Sequence, residues 1–96
     1  MKGAPDINLY LRQNPRDGKH GAPMGHSNRD EGSPGLRRYC QRVRFVDGDY
    51  SADGTYWGSG GGRLYAVFTF DMLTLCFYRA ATRNDALRAH WNDYPY

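Results

Sequence analysis

Two arginines two positions apart carry the first chemical signal in the chain. Arg42 and Arg44 lie in "RYCQRVRFV", where residues of equal parity share one face of a strand, so they face the same way as Cys40, with Arg38 placed to join them. Arg63 closes "GTYWGSGGGR", where Tyr56 and Trp57 adjoin four glycines (Gly58, Gly60, Gly61 and Gly62). Guanidinium groups grip carboxylates and phosphates with planar, paired hydrogen bonds. Tyr65 and Tyr78, on later strand-like runs, add flat rings that stack bases or anchor a protein contact. Arg42, Arg44, Tyr56, Trp57, Arg63, Tyr65 and Tyr78 therefore form the candidate binding set. The competing reading is an open sheet face in water, with charges that discourage edge pairing. A domain with little core should not leave both large rings in solvent, so one of Tyr56 and Trp57 is expected to tuck against the sheet.

Other constellations fail on their spacing. "DGDYSADGTYWG" sets Asp47, Asp49, Ser51 and Asp53 at alternate positions, as a calcium loop does. Ala52 stands where the turn glycine is required and Gly58 where a bidentate glutamate should be, so these side chains read as turn formers. "GSGGGR" has backbone amides that can approach an anion, but no Lys-Ser or Lys-Thr follows, and it opens a strand rather than a helix. Cys40 and Cys76 fall inside apolar patterns and read as free thiols, with a single cross-strand bridge as the minority alternative. His20, His26 and His90 have no nucleophile or carboxylate at a catalytic spacing. The residues predict no enzyme, no metal and no cofactor.

The elements that must position the binding set follow from composition. The chain has 96 residues, enough for one domain, and a net charge of +3. Nine basic and four acidic residues precede Asp47, whereas four basic and six acidic ones follow from there on. A basic amino-terminal part on a mildly acidic body suits contact with phosphate or an acidic protein, or simply keeps a floppy segment dissolved. Eleven of the thirteen basic side chains are arginine, which favours planar contacts. The start, "MKGAPDINLY", lacks the apolar stretch of a signal peptide, and no apolar run is long enough for a membrane helix, which leads to an expectation of a soluble protein in the cytoplasm.

Residues 1–36 read as a flexible arm. "NPRDGKHGAPMGHSNRDEGSPG", Asn14 to Gly35, has one methionine as its only large apolar residue. Within the arm, "INLYLR" alternates and predicts a short strand at 7–12, able to join the edge of the main sheet or a partner's sheet. Residues 37–96 read as an α+β mini-domain in the order β-β-β-α. Its three antiparallel strands are "RYCQRVRFV", "RLYAVFTF" and "LTLCFYR", the last two joined in a hairpin across Asp71-Met72. Leu64, Ala66 and Phe68 should face one way and Tyr65 and Val67 the other. Thr82 with Asp85 predicts a helix start, and Leu87 and Trp91 a buried stripe near Ala86. One helix covers one sheet face, which leaves the other for solvent, for "INLYLR" or for a partner.

The stretch from Arg42 to Trp91 resembles a group of small accessory proteins carried by bacteriophages and mobile elements. The resemblance rests on Gly54, Tyr56, Trp57, Gly58, Gly60, Leu64, Tyr65, Arg79, Ala80 and Ala86. It implies a non-enzymatic protein that docks on and inhibits a host complex inside a bacterium, anti-CRISPR inhibitors of nucleic-acid-handling effectors being the sharpest instance. Direct binding of DNA or RNA is the first alternative, and a structural or assembly protein the second. The expected state is a monomer or weak dimer.

Overall fold

A computed structural model describes residues 4–13, 29–31, 35–44, 46–47, 50–51 and 62–94. Helix α1 spans Ile7–Gln13. Strands follow at Arg29–Asp30 (β1), Tyr39–Arg42 (β2), Val46–Asp47 (β3), Tyr50–Ser51 (β4), Arg63–Phe68 (β5) and Thr74–Ala80 (β6), and helix α2 spans Arg83–Asp93. Four strands form an antiparallel sheet in the order β1-β6-β5-β2, while β3 and β4 pair separately as a small hairpin. The class is α+β, and the described residues hold four sheet strands in place of three and two helices in place of one.

The β5–β6 hairpin is the core of the sheet. Its ladder runs from Arg63 opposite Ala80 to Phe68 opposite Leu75. The turn occupies Phe70 to Leu73, two residues wider than the sequence suggests. Met72 donates its N–H to the Thr69 carbonyl at 3.0 Å and takes a left-handed φ of 63°. The Asp71 carboxylate accepts from the Leu73 N–H at 3.0 Å and the Thr69 hydroxyl at 2.5 Å, and these bonds hold the turn without an Asn-Gly or Asp-Gly pair.

Strand alternation sorts the core into two layers, as expected. Leu64, Ala66, Phe68 and Leu75 face one side, where they pack with Ile7, Leu11, Val43 and Met72. Tyr65, Val67 and Cys40 face the other, against Ala86 of α2. Both sheet faces are thus covered, and Tyr65 is buried instead of offering a stacking surface.

The cover on the first face is the segment read as a strand at 7–12, and it is a helix. Asp6 caps it, accepting from the Asn8 and Leu9 N–H groups at 3.0 and 3.4 Å, and the Tyr10 N–H reaches the Asp6 carbonyl at 3.0 Å. Ile7 and Leu11, one turn apart, are buried, while Leu9 is 48 % exposed. Apolar residues at 7, 9 and 11 satisfy both a period of two and an i, i+4 pair, and the aspartate cap together with the waiting sheet face decides for the helix.

The fourth strand comes from the segment read as an arm. Arg29 and Asp30 pair with Leu75 and Thr74, and Glu31 donates to the Leu73 carbonyl at 3.0 Å. Charge, not apolar surface, secures so short a strand. The Asp30 carboxylate, fully buried, accepts from Arg38 Nη2 at 3.0 Å and from the Thr74 hydroxyl at 2.5 Å. Arg29 donates two guanidinium bonds to the Met72 carbonyl, at 2.7 and 3.2 Å.

Helix α2 begins as expected, with Thr82 accepting from the Asp85 N–H at 3.1 Å. Its inward stripe is Ala86 and His90 rather than Leu87 and Trp91. Leu87 is half-buried, and Trp91, 39 % exposed, lies against the Arg38 guanidinium, 5.6 Å from its ring centre. Cys40 and Cys76 are free and buried. Both sit opposite Val67, on strands that flank β5, so about two strand spacings, or roughly 10 Å, separate them. A disulfide needs Cα atoms within about 7 Å.

Candidate functional site

The strand registers bring three distant arginines to one corner of the molecule. Arg63 opens β5 opposite Ala80, the last residue of β6, so the chain leaving β6 passes beside it into α2. Arg42 pairs with Tyr65, two residues along β5. Arg83 is the first residue of α2. Arg42, Arg63 and Arg83, with Arg44 just beyond β2, line an open groove of about 630 Å³. All four side chains are exposed, and none forms an ion pair with a carboxylate among the described residues.

Backbone bonds fix the rim. Arg83 Nε donates to the Cys40 carbonyl at 3.1 Å, and Arg63 Nη1 to the Ala81 carbonyl at 3.5 Å, so each guanidinium keeps donors for a ligand. Gly62 enters β5 at φ +90°, and a Cβ there would stand 2.6 Å from the Ala80 carbonyl oxygen. Glycine is required at this position for the close approach that sets Arg63 beside the α2 entrance.

Helix α1 closes the groove's other side through two side-chain amides. Gln41 accepts from the Ile7 N–H at 2.9 Å and donates to the Pro5 carbonyl at 2.9 Å. Asn8 answers in the opposite direction, donating to the Arg42 carbonyl at 3.0 Å and accepting the Arg44 N–H at 2.7 Å. Asp6 also lines the groove, but its carboxylate is engaged with the first N–H groups of α1. A smaller recess of about 310 Å³, lined by Asp6, Asn8, Arg12 and Arg44, continues past α1.

The floor holds a thiol with little reactivity. Burial pushes the Cys40 thiol up to about 11, against a smaller opposing effect from Arg83, so it stays protonated near neutral pH. What remains is a concave surface of guanidinium groups on rigid elements, suited to holding carboxylates or phosphates.

The structure therefore unites Arg42, Arg44, Arg63 and Tyr65 of the expected set, with Tyr65 as buried support rather than as a contact. Tyr78 lies elsewhere, half-buried beneath α2 with its hydroxyl 3.4 Å from His90 Nδ1. Tyr56 and Trp57 lie outside the described residues. Arg83 was not in the sequence set, although the Thr82 cap and the hairpin together place it: the cap makes residue 83 the first helical position, and the hairpin returns that position to Arg63.

A second polar cluster lies beneath α2. His90 is fully buried among the rings of Trp91, Tyr94 and Tyr78, with centroids 5.1, 5.4 and 6.1 Å away, and its Nε2 has no partner among the described residues. Burial lowers its pKa and favours the neutral ring, and Arg38 acts in the same direction, while Asp30 and Asp93 oppose. Burial also raises the Tyr78 hydroxyl above its ordinary value and the Cys76 thiol to about 11. These groups bind α2 and β1 to the sheet and do not open to the groove. Among the described residues no group of three His, Cys, Asp or Glu side chains is placed to hold a metal ion, and no helix is long and apolar enough to cross a membrane.

No family model, no curated protein and no solved structure matches the chain.

Proposed function

We propose that the protein is a non-enzymatic binding protein that docks on an acidic surface of another protein through Arg42, Arg44, Arg63 and Arg83. The convergence of four exposed arginines from β2, β5 and α2 on one groove supports this reading above any other observation. Clustered like charges repel one another, and a ligand of opposite charge relieves that repulsion while it gains paired hydrogen bonds. The likeness of Arg42 to Trp91 to phage and mobile-element accessory proteins favours a host complex in the bacterial cytoplasm as the partner, with inhibition of a CRISPR effector as the sharpest instance.

Direct nucleic-acid binding is the second reading. The burial of Tyr65 and the half-burial of Tyr78 weigh against it, because they remove the rings on which bases would stack. The test measures affinity for poly-L-glutamate and for mixed-sequence single-stranded DNA across a range of salt, with Arg42→Ala/Arg63→Ala as control. The proposal expects poly-L-glutamate to bind the native protein and not the variant. Tighter binding of DNA, weakening steeply with salt, would make nucleic acid the ligand. No binding of either polyanion at low salt refutes the groove as a docking site.

A further inference from the structure

The groove runs along the outer edge of the sheet, and side chains alone occupy the backbone groups of that edge that have partners. The Val43 N–H donates to the Leu64 carbonyl at 2.9 Å, so odd-numbered residues of β2 turn their backbone groups toward β5. Antiparallel alternation then points the backbone groups of Cys40, Arg42 and Arg44 outward, into the groove. Three of these outward groups are taken by side chains. The Cys40 carbonyl accepts from Arg83, the Arg42 carbonyl accepts from Asn8, and the Arg44 N–H donates to Asn8. Among the described residues the outward Cys40 N–H, Arg42 N–H and Arg44 carbonyl have no partner, and the Arg42 N–H lies between groups that do.

We infer that the partner segment is an extended acidic chain that adds to β2 as a fifth strand, replacing Asn8 and Arg83 at these backbone groups. The inference rests on the groove as a docking site and specifies how it is used. Arg83 plugs the edge with one bond and Asn8 with two, each of modest net strength, whereas an added strand supplies the same bonds in a continuous ladder and reaches the outward groups left vacant. Arg83, released from Cys40, gains a carboxylate in exchange. The charge selects the occupant. A second copy would bring two sets of four arginines together at the joined edges, which like charge opposes, so the complement is acidic. Side chains alternate along a strand, and Arg42 and Arg63 share one face, so acidic groups are needed at every second position.

The test uses the full chain and a short synthetic peptide alternating glutamate with threonine, beside the same peptide N-methylated at every second backbone amide. Strand addition expects at least a tenfold loss of affinity on N-methylation in one of the two phases, with charge unchanged. It also expects slowed hydrogen exchange of the Arg42 amide when the native protein binds the unmodified peptide. Asn8→Ala, checked for native circular dichroism, should bind about fivefold to tenfold more tightly because the edge is already open. Equal affinity for methylated and unmethylated peptides, an unprotected Arg42 amide, or a folded Asn8→Ala that binds no more tightly overturns strand addition. If Arg42→Ala/Arg63→Ala still abolishes binding in that event, the groove stands and only the mode is wrong. If the arginine variant binds like the native protein, the groove itself has failed.

Discussion

Replacing Asp30 by asparagine tests whether charge holds the short first strand. The Asp30–Arg38 pair is 3.0 Å long, with side chains 0 % and 1 % exposed. At an effective dielectric of 20 the Coulomb attraction at that distance is about 5 kcal/mol, most of it offset by the cost of drying both ions. The exchange to Asn is nearly isosteric and keeps an oxygen for the Thr74 hydroxyl, but it leaves the Arg38 guanidinium buried against a neutral amide. Breaking one side of such a pair costs about 3–5 kcal/mol, a large share of the roughly 5–15 kcal/mol that holds a small domain. Urea unfolding of Asp30→Asn, Arg38→Met and the double variant gives the coupling. Each single change should cost about 3 kcal/mol or more, and the double change clearly less than their sum, because no lone charge then remains buried. A cost below about 1 kcal/mol for Asp30→Asn, or simple additivity, would show that β1 is held by its backbone bonds and that the ion pair is incidental.

Acid should loosen the structure through His90. Its folded pKa lies below the ordinary 6.5, so its contribution is complete above that value and is lost as pH falls through the lower folded value. The difference in urea midpoint between the native protein and His90→Phe, followed from pH 8 to pH 5, should therefore shift against the native protein as pH falls; a pH-independent difference rejects the buried neutral ring. Gly62→Ala combines a Cβ 2.6 Å from the Ala80 carbonyl oxygen with a left-handed φ, and should lower stability by about 1–3 kcal/mol in the same assay. The charge reversals Arg42→Glu and Arg63→Glu, at exposed positions, should leave the thermal midpoint nearly unchanged while abolishing retention on immobilised poly-L-glutamate. Native thiols should resist iodoacetamide at pH 8 until denaturant is added, since both cysteines are buried with values near 11.

Alternation showed the β5–β6 hairpin correctly, whereas the nine-residue run "RYCQRVRFV" became the four-residue strand Tyr39–Arg42, with Val46 in the separate β3. The runs around Ala66 and Cys76 gave the hairpin and the facing of Tyr65 and Val67 away from Leu64 and Phe68, because six or seven residues distinguish a period of two from any other. "INLYLR" was too short for that, and its outcome turned on Asp6 and on a sheet face built from residues far along the chain. The first strand was invisible because its two residues are a cation and an anion, and only the return of Arg38 and Thr74 to Asp30 makes their burial tolerable. Hydropathy favours Trp91 over His90 as the inward residue, yet Trp91 can lie over Arg38 at the boundary while the smaller imidazole fits beneath α2. The arginines of the groove could be suspected from alternation on β2, whereas Arg83 required the hairpin register. Polar side chains that act through long-range partners leave no local period, and most of what was missed is of that kind.

The paired amides of Gln41 and Asn8 bear on how the molecule opens. Seven residues of isolated helix are not stable in water, so α1 exists only while it is latched to a completed β2. Sliding it by one residue would misplace Gln41 from Ile7 and Asn8 from Arg42 together, which gives the joint a single setting. Local opening should then occur in one piece, with Ile7 and Leu11 leaving their sites as the sheet margin is bared. Slow exchange at the centre of the hairpin and fast, correlated exchange across Ile7, Arg44 and their neighbours would be its signature.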